Sequence, residues 1–493
     1  MAPVPPPPAT APTPVPVPPP APLAQPQVQA EQNGGNGGRR PPKGGLLDRL
    51  ARGSAWTLTT RLAAMISIFL TTTLAARVLH GDDGYSFGIY TLATSIIMTA
   101  AIIAHFGLPR TVVRLVAEAM ARDEPGVAKG TVQRINRLNI GGGIAVTGVL
   151  LFGGGAFLAH HVFKPSSAHG LELVMVMLAV WSATEGIRYT ASEAFRGFHD
   201  IKSASIYGDA MRSVLMALAF LFIFIFMRHT TLRIAVAVSL GASAVTMVLA
   251  IFFLWRHTSA IRVRVKPVAT AAIIAIALPL TLTDLTGMIV TSGDNFIVGI
   301  FRSAPDVGIY GAASRLSTLL SLPLFVMNGV VAPMIAELWT KGKKKQLETF
   351  LRGATTLATI PSLAGLIAFV FAGGWIMQVA FGSHRFHRGG IILVILAAGL
   401  VIDVAAGSCT FALIMTGHHR LVAIAAGITL VVTIGGEIIG AHIAGMTGIA
   451  VASAGATVLQ NLLLTGFAKQ RLGIWTQATL SPRKVLAFLK MRD

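Results

Sequence analysis

Twelve apolar runs, each about as long as a bilayer's hydrocarbon core is thick, leave this chain few possible folds. Roughly 20 helical residues cross that thickness, and backbone groups in lipid must bond to one another because no water is there. Each run is therefore expected to be a transmembrane helix, which makes the fold class all-α and the chain a polytopic membrane protein. The runs fall near residues 55–76, 86–107, 138–160, 171–190, 206–227, 232–254, 271–292, 307–335, 353–377, 390–414, 421–443 and 447–468. Many carry Gly, Ala and Ser, which suits close helix packing in lipid.

Charge is scarce and unevenly placed. Only 12% of residues are charged, against about 25% in a soluble domain. The net charge of +20 would suggest nucleic acid in a soluble chain, but no aromatic-rich basic module occurs, so no nucleic-acid partner is expected. With the N-terminus in the cytoplasm, 30 of the 40 Lys and Arg lie in or beside inner connections. Seven lie on the outer side: Arg77, Lys164, Arg228, Arg233, Arg302, Arg385 and Arg388. This bias predicts both termini inside. The lone cysteine, Cys409, excludes an internal disulfide.

Residues 1–42 hold 15 of the 25 prolines, so 1–44 is expected to be an extended, coreless tail. No connection is long enough for an extramembrane domain. The longest, 108–137, reads as an amphipathic helix on the membrane surface. An internal repeat divides the rest. Gly88-Ile89-Tyr90 recurs at Gly308-Ile309-Tyr310, an offset of 220, and IAVA at 234–237 recurs at 449–452, an offset of 215. These echoes fall in spans 2 and 8 and in spans 6 and 12. They predict two six-helix lobes, 45–260 and 268–469, related by a pseudo-two-fold along the membrane normal with a cavity between them, followed by a cytoplasmic tail at 470–493.

Three stretches carry a family likeness: TTTLAARVLHGDDGYSFGIYTLATSI with HFGLPRTVVRL, then SGDNFIVGIFRSAPDVGIYGAASRLSTLLSLPLFVMNGVVAPMIAEL, then MTGIAVASAGATVL. Through them the chain resembles the multidrug/oligosaccharidyl-lipid/polysaccharide exporter superfamily, and within it the Wzx-type polysaccharide flippases, over roughly residues 50–470. The resemblance implies a MATE-like fold in the bacterial inner membrane. It also implies transport, by alternating access, of an undecaprenyl-diphosphate-linked oligosaccharide used for surface polysaccharide or O-antigen synthesis. Glycan polymerase or export proteins would be partners. A diphosphate with several sugars cannot cross hydrocarbon without losing its water, so a polar cavity is needed for the headgroup.

The charges inside spans are the candidate site. Arg315 in span 8 and Asp284 in span 7 lie at similar depth by the helical rise. One reading is a structural Arg315–Asp284 pair; the other is a cavity-facing guanidinium that grips the diphosphate bidentately, with Asp284 neutralising it when empty. Arg61 in span 1 either snorkels to the inner interface or captures the diphosphate there. Asp403, placed midway along span 10, and Glu437 in span 11 are candidates for coupling to H+ or Na+. No other cofactor is expected. Asp209 with Arg212 and Glu185 with Arg188, spaced i to i+3, read as local ion pairs. The histidine pairs at 160–161, 384/387 and 418–419 lack ligand partners, so no metal is expected. Pro323, Pro333 and Pro361 are candidate kinks.

Two other functions compete. A drug or cation antiporter of the same superfamily would rely on acids such as Asp284 and Asp403, and the arginines speak against it. A peptidoglycan-precursor flippase would carry extra spans and more arginines in its first two. An enzyme is not expected, because no outer loop is large enough to hold catalytic groups and no phosphate-cradling motif is present.

Overall fold

The computed structural model describes residues 46–79, 83–261, 263 and 269–479. The Pro-rich tail, part of the 80–85 loop, most of the link between the halves and the last residues lie outside them. Twelve helices among the described residues are long and apolar enough to cross a membrane. Spans 1 to 6 are Leu58–Val78, Tyr85–His105, Pro125–Val162, Pro165–Gly197, Ile201–Met227 and Leu232–Ser259. Spans 7 to 12 are Thr270–Ile289, Ala304–Gly329, Lys344–Phe381, His384–Ala406, His419–Ala444 and Met446–Leu472. All twelve expected runs are present.

Local chemistry sets where several begin. The Asp200 carboxylate accepts from Ser203 N at 3.1 Å and caps span 5, and Thr231 Oγ1 accepts from Ile234 N at 3.4 Å to cap span 6. Large apolar side chains point outward: Phe152 is 93% exposed, Phe371 85% and Ile443 80%. In water such a surface would aggregate; in lipid it is the expected face. The contacts between helices use small residues, as packing in lipid favours. A Cβ at Gly448 would stand 2.0 Å from the Gly440 carbonyl oxygen, so spans 11 and 12 can approach this closely only with glycine there.

The surface helix is shorter than expected. It runs Leu108–Ala121 and buries Leu108, Val112, Val116 and Ala119 along one stripe. Asp123 then turns the chain in the left-handed region, at φ 56°, and Pro125 opens span 3 directly. The basic residues of 125–137 therefore belong to the first turns of span 3. Two spans are interrupted where the sequence suggested continuity. Span 3 kinks at Phe152 and at Gly153, whose φ is 118°. Span 10 stops at Ala406, and a second short helix, Cys409–Met415, continues it after Gly407. Pro323 opens a helix after a tight turn at Thr318–Ser321, whereas Pro361 is carried inside an unbroken helix. The chain beyond span 12 does not trail away at once. Ala478 N donates to Ala405 O and Thr476 Oγ1 to Ala406 O, which satisfies the last carbonyls before the span 10 break.

Spans 2 and 8 meet where the repeat begins. A Cβ at Gly308 would lie 3.3 Å from the Gly88 backbone, and a Cβ at Gly88 only 1.8 Å from the Ala304 carbonyl oxygen. Equivalent residues of two repeats touch in this way when an axis relating them passes between. The echo extends to polar contacts. Tyr90 Oη bonds Ser239 Oγ at 2.9 Å, and Tyr310 is hydrogen-bonded by Ser453; both serines follow an IAVA stretch. Near the same end, Arg77 donates to Ala380 O at 2.9 Å and Val379 O at 2.5 Å, and Arg385 pairs with Asp83.

These contacts make Gly88 a testable position. Gly88→Ala is expected to cost about 1–3 kcal/mol through overpacking, read as a lower thermal midpoint in detergent. Gly141→Ala, whose Cβ would meet nothing within 4 Å, should leave the midpoint unchanged. Equal midpoints for both would contradict the crossing.

Candidate functional site

A cavity of about 320 Å³ lies between the halves, lined by spans 1, 2, 5, 7 and 8. By a share of about 30 Å³ per water it holds roughly ten waters, enough for a hydrated diphosphate and far too little for an oligosaccharide. Thr71, Thr91, Thr94, Ser213, Ser292 and Asn295 supply hydroxyl and amide groups to its wall. Two arginines, Arg212 and Arg315, face it with one acid, Asp209.

Arg315 is exposed, and the space it is exposed to is this cavity. It forms the last turn of the first helix of span 8, and Thr318 Oγ1 donates to its carbonyl at 2.7 Å where the chain tightens into the turn. No acidic group lies within ion-pair distance of it among the described residues. The expected Arg315–Asp284 pair is not formed. Asp284 Oδ1 instead meets Arg110 Nη2 at 2.8 Å, joining span 7 to the surface helix. Depth along a helix does not fix which side a residue faces, and Asp284 faces the surface helix.

Arg212 also departs from expectation. It does not pair with Asp209, because a wide π-turn at Ile206–Ala210 shifts the register between them. Its Nε lies 3.3 Å from Glu185 Oε1 on span 4. Glu185 holds Arg188 as well, Oε1 to Nη2 at 2.6 Å and Oε2 to Nε at 3.2 Å, so the Glu185–Arg188 pair stands as expected. Arg188 continues to Tyr207 O at 2.8 Å and to Asp209 at 3.6 Å. Three arginines against two acids leave the region one positive charge in excess. Glu185 thus fixes Arg212 from behind while its guanidinium borders the cavity.

Arg61 is exposed with its guanidinium 5.8 Å from the Phe325 ring centroid, across the seam to span 8, and it does not line this cavity. Asp403 keeps its place about midway along span 10 and its short continuation. It sits one turn before the span 10 break and accepts from Asn461 Nδ2 at 2.9 Å. Glu437 is 1% exposed and hydrogen-bonded to Asp294, an acid two residues beyond the apolar run of span 7. Span 7's helix in fact continues to Phe301, which carries Asp294 into the bundle. Tyr310 Oη donates to Asp294 Oδ2 at 2.6 Å, and Glu437 Oε1 is left without a partner. Two carboxyl groups in contact need a proton or a cation between them. His160 does have an acidic partner, Glu172 at 2.6 Å, but no group of three His, Cys, Asp or Glu occurs among the described residues.

Comparison with known proteins agrees with this architecture. The "Probable low-salt glycan biosynthesis flippase Agl15" of Haloferax volcanii is 27% identical over 125 residues, a span of 25% of this chain and 26% of that one. The chain thus aligns with about a quarter of that relative's length. Among solved structures, an inward-facing multidrug resistance MATE family transporter of the MOP superfamily superposes with a TM-score of 0.68 at 15% identity, covering 85% of this chain and 98% of the other. The lipid II flippase MurJ in an inward closed conformation gives 0.63 at 13% identity, covering 88% and 89%. At such low identity these superpositions show a shared MATE-like fold and nothing more. The sequence model for the family described as polysaccharide biosynthesis protein matches residues 50–339, more than half of the chain, and the chain belongs to that family.

Proposed function

We propose that the protein is a flippase for an undecaprenyl-diphosphate-linked oligosaccharide in the bacterial inner membrane, with both termini cytoplasmic. The observation that carries this reading is Arg315, a guanidinium open to the central cavity with no acidic partner among the described residues, across from Arg212. A permanent charge enclosed by apolar helices is costly unless something compensates it. An anion that visits the cavity is the natural compensation, and a diphosphate matches the planar, bidentate donors of arginine. The sugars would pass through the wider space that opens as the halves rock, and the polyprenyl chain would stay in lipid. The antiporter reading loses its support, because Asp284, Asp403 and Glu437 all lie away from the cavity wall.

The test is export of lipid-linked glycan by cells that depend on this protein. Arg315→Ala should lower it roughly 10–150-fold with the protein still inserted. Full export by a well-inserted Arg315→Ala protein would contradict the reading.

Coupling is assigned to the Asp294–Glu437–Tyr310 cluster, since two touching carboxyl groups take up one proton or one Na+ and must reorganise when it leaves. Asp403, held by Asn461, is the second candidate. Glu437→Gln is expected to preserve insertion and remove the dependence of transport on the ion gradient, lowering the gradient-driven rate about tenfold or more by loss of a charge-assisted contact. Transport by Glu437→Gln that still follows pH or Na+ as in the native protein would shift the role to Asp403.

A further inference from the structure

The outer connections hold only seven Lys and Arg, yet two of them converge. Arg77 ends span 1 and Arg228 follows span 5, 151 positions later, and together with His229, Phe224, Ile225 and Gly382 they line a second cavity of about 550 Å³. None of these lining residues is acidic. Thr230 N donates to Val78 O at 3.0 Å, which brings the loop after span 5 against the end of span 1. Arg77 reaches from there across the seam to the last carbonyls of span 9, with its guanidinium 5.9 Å from the Phe224 ring centroid. Arg228 is exposed and has no acidic partner among the described residues. Its backbone turns at φ 60°, a conformation a non-glycine residue rarely takes.

The surroundings say what such a cluster meets. Ile225 is 57% exposed, Phe226 70% and Met227 51%, an apolar collar that faces lipid directly beneath the cations. Positive charge at the top of an apolar wall matches an anionic headgroup with its chains below, whereas a soluble anion would gain nothing from the collar. We propose that Arg77, Arg228 and His229 form a binding site for the phosphate headgroup of a lipid at the outer edge of the seam between the halves. It rests on the transport reading only for which lipid occupies it: the diphosphate carrier leaving the protein would pass this seam. Arg77 both binds there and ties spans 1 and 9 together, so a headgroup that draws its guanidinium away from the carbonyls would loosen the outer closure.

The test uses the full chain in detergent, with native mass spectrometry counting retained lipid during titration with undecaprenyl diphosphate, phosphatidylglycerol, phosphatidylcholine or inorganic pyrophosphate. Arg228→Gln, at an exposed position with no structural bond to lose, should weaken one equivalent of phosphate lipid about tenfold, the loss of one charge-assisted contact, and leave phosphatidylcholine unaffected. Tighter binding of undecaprenyl diphosphate than of phosphatidylglycerol identifies the carrier as occupant; the reverse order identifies a bilayer phospholipid. Arg315→Ala should keep this equivalent. A second undecaprenyl diphosphate equivalent, held in the central cavity, is the one Arg315→Ala should lose; if it loses neither while Arg228→Gln loses the outer one, the cavity reading fails and this site stands. Unchanged retention by Arg228→Gln, or pyrophosphate binding as tightly as the lipids, would overturn the site.

Discussion

Replacing Arg315 with alanine is expected to leave the protein folded and inserted while lowering glycan-lipid export by roughly 10–150-fold, the equivalent of about 1.5–3 kcal/mol for bonds to a charged group. Folding should survive because Arg315 has no ion pair to leave half-empty; its removal takes an uncompensated charge out of the bundle. Arg315→Lys should be partly active, since a lysine keeps the charge but loses the bidentate fork. Arg212→Ala should also reduce export, with some loss of stability, because Glu185 then keeps only Arg188. Asp284→Ala should leave export near native and cost no more than about 1 kcal/mol, as its partner Arg110 is half exposed. Loss of export from Asp284→Ala comparable with that from Arg315→Ala would mean the two act together in a state other than this one.

The second large effect belongs to Glu185. Its carboxylate is 4% exposed and serves Arg188, which is 1% exposed, together with Arg212. Removing it leaves two buried guanidinium groups without their main partner, and breaking a buried pair by deleting one side costs about 3–5 kcal/mol. Glu185→Ala is therefore expected to deplete folded protein in the membrane, measured by detergent-extractable monomer and thermal midpoint. Glu185→Gln, which can still accept from both arginines, should recover part of the yield. The contrast with Arg315→Ala is informative, because that variant should stay abundant and fail in transport. If Glu185→Ala is as stable as the native protein, the cluster does not hold span 4 to span 5.

How far the sequence alone reached follows from what lipid demands. The twelve spans were legible because an apolar run of membrane length has only one way to satisfy its backbone. Arg315 was legible for the complementary reason, that a charge inside such a run is expensive and needs a cause. Its proposed partner was not legible. Asp284 and Arg315 share a depth, but each residue along a helix turns the side chain by about 100°, and pattern alone did not fix which face of span 7 meets span 8. Arg212 was hidden by a π-turn that breaks the i to i+3 spacing with Asp209. Asp294 was missed because the apolar run ends near residue 292 while the helix continues to Phe301. The break in span 10 had a signal, the glycine at 407, whose φ of 77° and ψ of −157° suit glycine almost alone.

The most direct measurement places purified protein in proteoliposomes carrying a fluorescent undecaprenyl-diphosphate oligosaccharide on one leaflet and follows its appearance on the other. The native protein should flip it faster than protein-free vesicles, Arg315→Ala should lose at least about nine-tenths of that excess rate, and a lipophilic cation offered in its place should not be moved. Native vesicles that move the cation and leave the glycan lipid on its original leaflet would contradict the account.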